Sequence, residues 1–267
     1  MLSHMGERLA TMLVLSFILI APYIQPPWIL SIMVVLSSIV MYLIPRTKLL
    51  AVALVPIAIL FGLSILPLFV FSCTLAILVM GEVIFHESGD RMLHYIIQIV
   101  SGLGACVLVM FYLDTWEPLV VIFGIVVAVL LKAILCGRED ALMIEALGVA
   151  MTMFLIHELN YSVDLALIAF AVIVAFSFGF FSFRTGTADV SGLFSGALIG
   201  IVLIVFADIR WFIVMLAFFI LGSASTRYKW EYKQQMGIEQ AKGGARGYLN
   251  VFANGSVSAA SAVLWGV

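Results

Sequence analysis

A polytopic all-α bundle in a membrane is the fold class this sequence predicts, and three observations predict it. Of its 267 residues, 64% are hydrophobic and only 10% are charged, against about 45–50% and about 25% in soluble domains. Mean hydropathy is +1.23. The apolar residues come in stretches of membrane length, parted by short polar turns. Too few polar side chains remain to clothe a water-facing surface. That excludes a soluble enzyme, a disordered tail, a nucleic-acid reader and a coiled coil. A spanning strand needs about 10 residues of alternating polarity, which the chain lacks, whereas a helix satisfies its backbone groups internally.

Crossing about 30 Å of hydrocarbon takes roughly 20 helical residues. Eleven segments qualify, at approximately 9–24, 27–45, 48–66, 67–85, 92–113, 118–136, 141–158, 164–183, 190–207, 211–228 and 249–267. The third and fourth form one uncharged run, divided at Pro67. Pro22, Pro26, Pro27 and Pro45 mark other ends. The first stretch continues through Pro22 into further apolar sequence, unlike a cleavable signal. The last reaches Val267 without a polar tail, so the terminus is expected at the far interface or within a longer protein.

Basic residues orient the bundle. With the N-terminus inside, the inner connections hold Arg8, Arg46, Lys48, Arg91, Lys132, Arg138, Arg184, Arg227, Lys229, Lys233, Lys242 and Arg246. The outer ones hold only Arg210. A wrong segment count would scramble this partition from the error onward. The net charge of −2 sets up no global field. Cys73, Cys106 and Cys136 lack metal-ligand spacing and are read as small apolar fillers.

Ionisable residues within spans are costly and therefore informative. Glu82 and His86, one turn apart, are read as an interfacial hydrogen-bonded pair. Lys132 is expected to snorkel to the inner interface. Glu145 is read as a partner of Lys132 or a site for a substrate cation. His94, His157 and Glu158 are expected at interfaces, and Asp208 with Arg210 as an exposed ion pair.

The second half is richer in signal. Gly192, Gly196 and Gly200 recur every four residues and make one smooth helix face, open to another backbone or to a ligand. Asp189 and Ser191 stand where a helix start needs caps. The longest polar stretch, 227–248, carries Lys242-Gly243-Gly244-Ala245-Arg246. Adjacent glycines let backbone N–H groups turn towards a phosphate, with flanking charge from Lys and Arg. Asn250 and Asn254 then share a face just inside the inner interface.

In this order, these residues resemble the integral membrane family long called domain of unknown function 92. It includes transmembrane protein 19 and the phytyl phosphate kinases of plants and cyanobacteria. The matching residues are Asp189, Ser191 and Gly192, then Ser223 and Arg227, then Lys242, Gly243, Gly244 and Arg246, then Val251, Ala253, Asn254 and Gly255. The division expected is an N-terminal membrane region over 1–183 and the opening of the kinase-like domain over 184–267. The N-terminal region resembles the extra segment of long archaeal members. Family members commonly carry a lysine before the Asp-x-Ser-Gly start, where this chain has only Arg184. The family pattern also continues past Ala-Asn-Gly into Ser-Asp-Thr-x-Ala-x-Glu, which this chain does not reach.

The resemblance implies phosphoryl transfer from CTP, with Mg²⁺, to a phytyl- or geranylgeranyl-type monophosphate at the cytoplasmic face of the cell membrane. It assigns phosphate or headgroup contacts to Arg184, Ser191, Lys242, Gly243, Gly244, Arg246, Asn250 and Asn254. Asp189 is the one acidic residue near them, and a metal role falls to it or to none. Membrane lipid and a prenyl phosphate are the expected partners, nucleic acid is not, and a second chain would supply missing spans. The alternatives are a transporter or flippase and a non-catalytic scaffold.

Overall fold

Uncharged stretches become helices, and prolines, aspartates and left-handed turns end them. The computed structural model describes residues 2–44, 47–85, 91–136, 138, 140–237 and 244–267. Within them lie α1 (Leu2–Ile20), α2 (Pro27–Tyr42), α3 (Lys48–Gly62), α4 (Leu68–Phe85), α5 (Arg91–Leu113), α6 (Pro118–Ile134) and α7 (Ala141–Leu159). These are followed by α8 (Leu165–Arg184), α9 (Val190–Phe206), α10 (Ile209–Arg227), the short α11 (Trp230–Gln235) and α12 (Tyr248–Gly266). Each of the eleven predicted segments coincides with one long helix, and α11 is an addition within the polar stretch. The described residues form no strand beyond one isolated bridge.

Among the described residues, four helices, α5, α7, α8 and α10, are long and apolar enough to cross a membrane. Six more are apolar over 10–17 residues. The last helix falls in neither group, because Asn250, Asn254, Ser256, Ser258 and Ser261 interrupt its apolar run.

Local chemistry accounts for the boundaries. Pro27 opens α2 from its first turn, where a missing N–H costs nothing. The uncharged run breaks between Gly62 and Leu68, with Ser64 at φ +59° and Pro67 before α4. Asn160, left-handed at φ 47°, closes α7. Asp164, Asp189 and Asp208 cap α8, α9 and α10, accepting from Ala166 N, Gly192 N and Arg210 N at 3.1, 2.9 and 2.8 Å. Asp208 also forms the expected exposed ion pair, with Arg210 Nε at 3.9 Å.

The chain divides into two compact units, Met1–Asn160 and Tyr161–Val267. In the first, α4 is buried on every side from Phe69 to Val79 and packs against α1, α3, α5, α6 and α7. A helix apolar all round belongs in such a place. Its α6 is nearly as enclosed. In the second, α9 is the enclosed helix, with α8, α10 and α12 around it.

Burial corrects two expectations in the first unit. Lys132 is only 9% exposed and His94 only 5%, so neither reaches an interface through its side chain. Gln98 Nε2 donates to Glu145 Oε1 at 3.4 Å. A Cβ on Gly81 would lie 2.8 Å from that same Gln98 nitrogen and 3.1 Å from Lys132 Nζ. A polar centre is thus packed onto the bare backbone of α4. His86 and the Glu82 side chain lie outside the described residues.

Candidate functional site

The site in the second unit is built where the starts of α9 and α12 are stitched together. After α8, the Ser182 carbonyl accepts from Thr187 N and Ala188 N at 2.9 and 3.1 Å. Gly186 makes that turn at φ +67°. The next two residues pair with the segment before α12. Arg246 N donates to Thr187 O at 2.9 Å, and Asp189 N donates to Arg246 O at 3.1 Å. Ser191 Oγ donates to Asp189 Oδ1 at 2.7 Å and accepts from Tyr248 N at 3.1 Å. The sequence-predicted Ser191 and Asp189 are therefore members of a clasp.

The clasp fixes the backbone of Arg246, and α10 fixes its side chain. The guanidinium carbon lies 5.3 Å from the centre of the Phe219 ring. A Cβ on Gly222 would come within 2.5 Å of Arg246 Nη2, so the guanidinium rests against the α10 backbone. Burial lowers the Arg246 pKa from its ordinary value, yet a guanidinium stays charged at neutral pH. A partly desolvated, forked cation held over an aromatic ring is a good receptor for a phosphate or carboxylate.

Arg246 sits on the wall of a partly open pocket with a cavity volume of about 60 Å³. Asn250, Asn254 and Ser182 supply its other polar groups. Asn254 Nδ2 donates to the Asn250 carbonyl at 2.7 Å, one turn back in its own helix. Phenylalanines 178, 212, 218 and 219, with Ile199 and Leu203, make the rest of the lining largely hydrocarbon. One cation and two amides beside an apolar cavity suit an amphiphile with an anionic head.

Among the predicted contacts, the structure brings together Arg246, Asn250 and Asn254 around the pocket. Arg184 ends α8 exposed and does not line it. Gly244 is buried at φ +79°, a conformation that favours glycine. Lys242 and Gly243 lie outside the described residues. Sequence reasoning missed Phe219 and Gly222. The available signal was a glycine one turn beyond a phenylalanine in a helix otherwise rich in bulky residues.

A resident metal does not fit this donor set. Among the described residues no three His, Cys, Asp or Glu side chains gather. Asp189 Oδ1 already accepts two hydrogen bonds, from Ser191 Oγ and Gly192 N.

The clasp of Asp189, Ser191 and Gly192 with Arg246, and the Asn254-Gly255 face of α12, are the features that carry the family resemblance. Residues 172–267 match the family Integral membrane protein DUF92. The match runs from within α8 to the last residue, so the DUF92 stretch contains the clasp, Phe219, Gly222 and the whole pocket lining. No solved structure matches the chain. The DUF92 match and the apolar helices make this a multi-pass integral membrane protein.

Proposed function

We propose that the DUF92 stretch binds a prenyl monophosphate and takes part in transferring a phosphoryl group to it, at the cytoplasmic face of the cell membrane. The observation that supports this reading is the Arg246 guanidinium, fixed from two sides, on the wall of an otherwise apolar pocket. A phosphate head would take the forked donors of Arg246, with the Asn250 and Asn254 amides beside it. The tail would lie among the phenylalanines. Phosphoryl transfer asks a protein mainly for positioning and for positive charge on the phosphate oxygens.

In the reaction, an oxygen of the prenyl monophosphate attacks the terminal phosphorus of a nucleoside triphosphate. A new P–O bond forms, the bond to the nucleotide's β-phosphate oxygen breaks, and a prenyl diphosphate and nucleoside diphosphate leave. CTP as donor, and Mg²⁺ as its companion, come from the family resemblance. No step is assigned to a metal held by Asp189.

Purified protein is tested for CTP-dependent phosphorylation of geranylgeranyl monophosphate. Arg246→Ala is expected to abolish turnover while membrane insertion persists. Undiminished turnover in that variant sinks the proposal.

One observation favours a second reading, solute transport. The buried centre of Gln98, Lys132 and Glu145 lies in the other unit, inside α4–α7. Ion-coupled uptake lost in Glu145→Gln would support it.

A further inference from the structure

The three glycines of α9 do two different things. A Cβ on Gly192 would lie 2.1 Å from the Arg246 carbonyl oxygen, and one on Gly200 would lie 2.9 Å from the Phe212 ring and 3.0 Å from Ala175 Cβ. Both glycines are bare because neighbours occupy the place of a side chain. Gly196 differs. All three line the pocket, yet a Cβ on Gly196 would meet nothing within 4 Å. No protein atom holds the place of a side chain at Gly196, and the pocket is what lies beside it.

Position along the helix gives the open space a meaning. Gly196 lies one helical turn, about 6 Å, beyond Gly192, where the Arg246 carbonyl touches α9, and Gly200 lies a further turn on. A ligand whose head is at Arg246 and whose tail enters the apolar lining passes Gly196 with its first few carbons. We infer that Gly196 is a specificity-determining position: its missing side chain keeps open the passage through which the head-proximal part of an amphiphile's tail enters the pocket. The inference rests on the amphiphilic-phosphate reading above and adds to it the residue that controls which tails are admitted.

The test is binding rather than turnover. Purified wild-type protein, Gly196→Val and Gly200→Ala are titrated with geranylgeranyl monophosphate and with methyl phosphate, a head with no prenyl tail. Thermal unfolding of each protein is followed in the same detergent. Gly196→Val is expected to unfold as the wild type does and to lose affinity for the long-tailed phosphate by about 10- to 200-fold, the range over which an apolar pocket discriminates by shape. Its affinity for the short phosphate should change little. Gly200→Ala should unfold earlier, which marks a packing glycine. Equal affinity of Gly196→Val and wild type for the long-tailed ligand overturns the inference. So does an equal loss for both ligands, because the tail is then not what the position senses. Failure of the wild type to bind either phosphate removes the amphiphile reading itself.

Discussion

The carbonyl oxygen of Arg246 occupies the place where a side chain on Gly192 would begin, 2.1 Å from an ideal Cβ. The start of α9 and the segment before α12 therefore touch backbone to backbone. The Asp189 N–H bond to that same carbonyl closes the contact at 3.1 Å. Gly192→Ala cannot be absorbed by turning a side chain, since the obstacle is main chain. The expected cost is about 1–3 kcal/mol, as for overpacking elsewhere, with the Arg246 segment displaced from α9. Thermal unfolding in detergent reads the cost, and phosphate affinity reads the displacement. Gly196→Ala is the control, expected to unfold with the wild type.

Asp189 separates a cap from a metal ligand. Its Oδ1 accepts from Gly192 N at 2.9 Å and from Ser191 Oγ at 2.7 Å. Asp189→Ala should cost about 0.5–2 kcal/mol, the usual loss of an N-cap. Asp189→Asn keeps a side-chain oxygen at the same place and should retain most of that stability. If Asp189→Asn unfolds normally but loses Mg²⁺-dependent turnover, the carboxylate does more than cap.

The buried centre of the first unit makes a sharper prediction. Glu145 is 2% exposed and Lys132 9%. Removing one partner from a buried charged network typically costs about 3–5 kcal/mol, because the other is left uncompensated. Glu145→Ala and Lys132→Ala should each destabilise on that scale, whereas Glu145→Gln preserves the acceptor for Gln98 and should cost less. Gly81→Ala is expected to cost less than the severe pair, since its Cβ would meet the movable ends of Gln98 and Lys132, 2.8 Å from Gln98 Nε2. Unfolding midpoints of the four variants that are all within error of wild type would rule out a structural role for this centre.

Much of the fold was legible because its causes are local. Charge-free runs ended by Pro27, Asn160 and three aspartate caps reappear as helices with nearly the predicted ends. Lys132 and His94 were misplaced for the opposite reason. Their positions near helix ends are readable, but the burial of one face of α5 and the enclosure of α6 depend on neighbours far away in sequence. The site divides in the same way. Asn250 and Asn254 declare a shared face by spacing alone, and Asp189 declares a helix start. The role of Gly192 as against Gly196 does not follow from a repeat of four, because a neighbouring backbone fills the place of a side chain at one and nothing fills it at the other. Phe219 and Gly222 are likewise found only across the interface with Arg246.

That interface supports the last prediction. The Arg246 guanidinium carbon stands 5.3 Å from the Phe219 ring centre. Phe219→Leu keeps apolar volume in the pocket wall but removes the ring face. The cation–π contact is worth about 0.5–2 kcal/mol depending on desolvation, which is roughly two- to thirty-fold in Kd. Phe219→Leu should weaken binding of a prenyl monophosphate by that factor through a wandering guanidinium. Arg246→Lys should weaken it at least as much, because an ammonium offers a point charge where the fork made paired bonds. If the ring serves only to position Arg246, Phe219→Leu combined with Arg246→Lys should be no worse than Arg246→Lys alone. Calorimetric titration of the two single variants and the double one checks this. Losses that simply add would mean that Phe219 acts on the tail independently of Arg246.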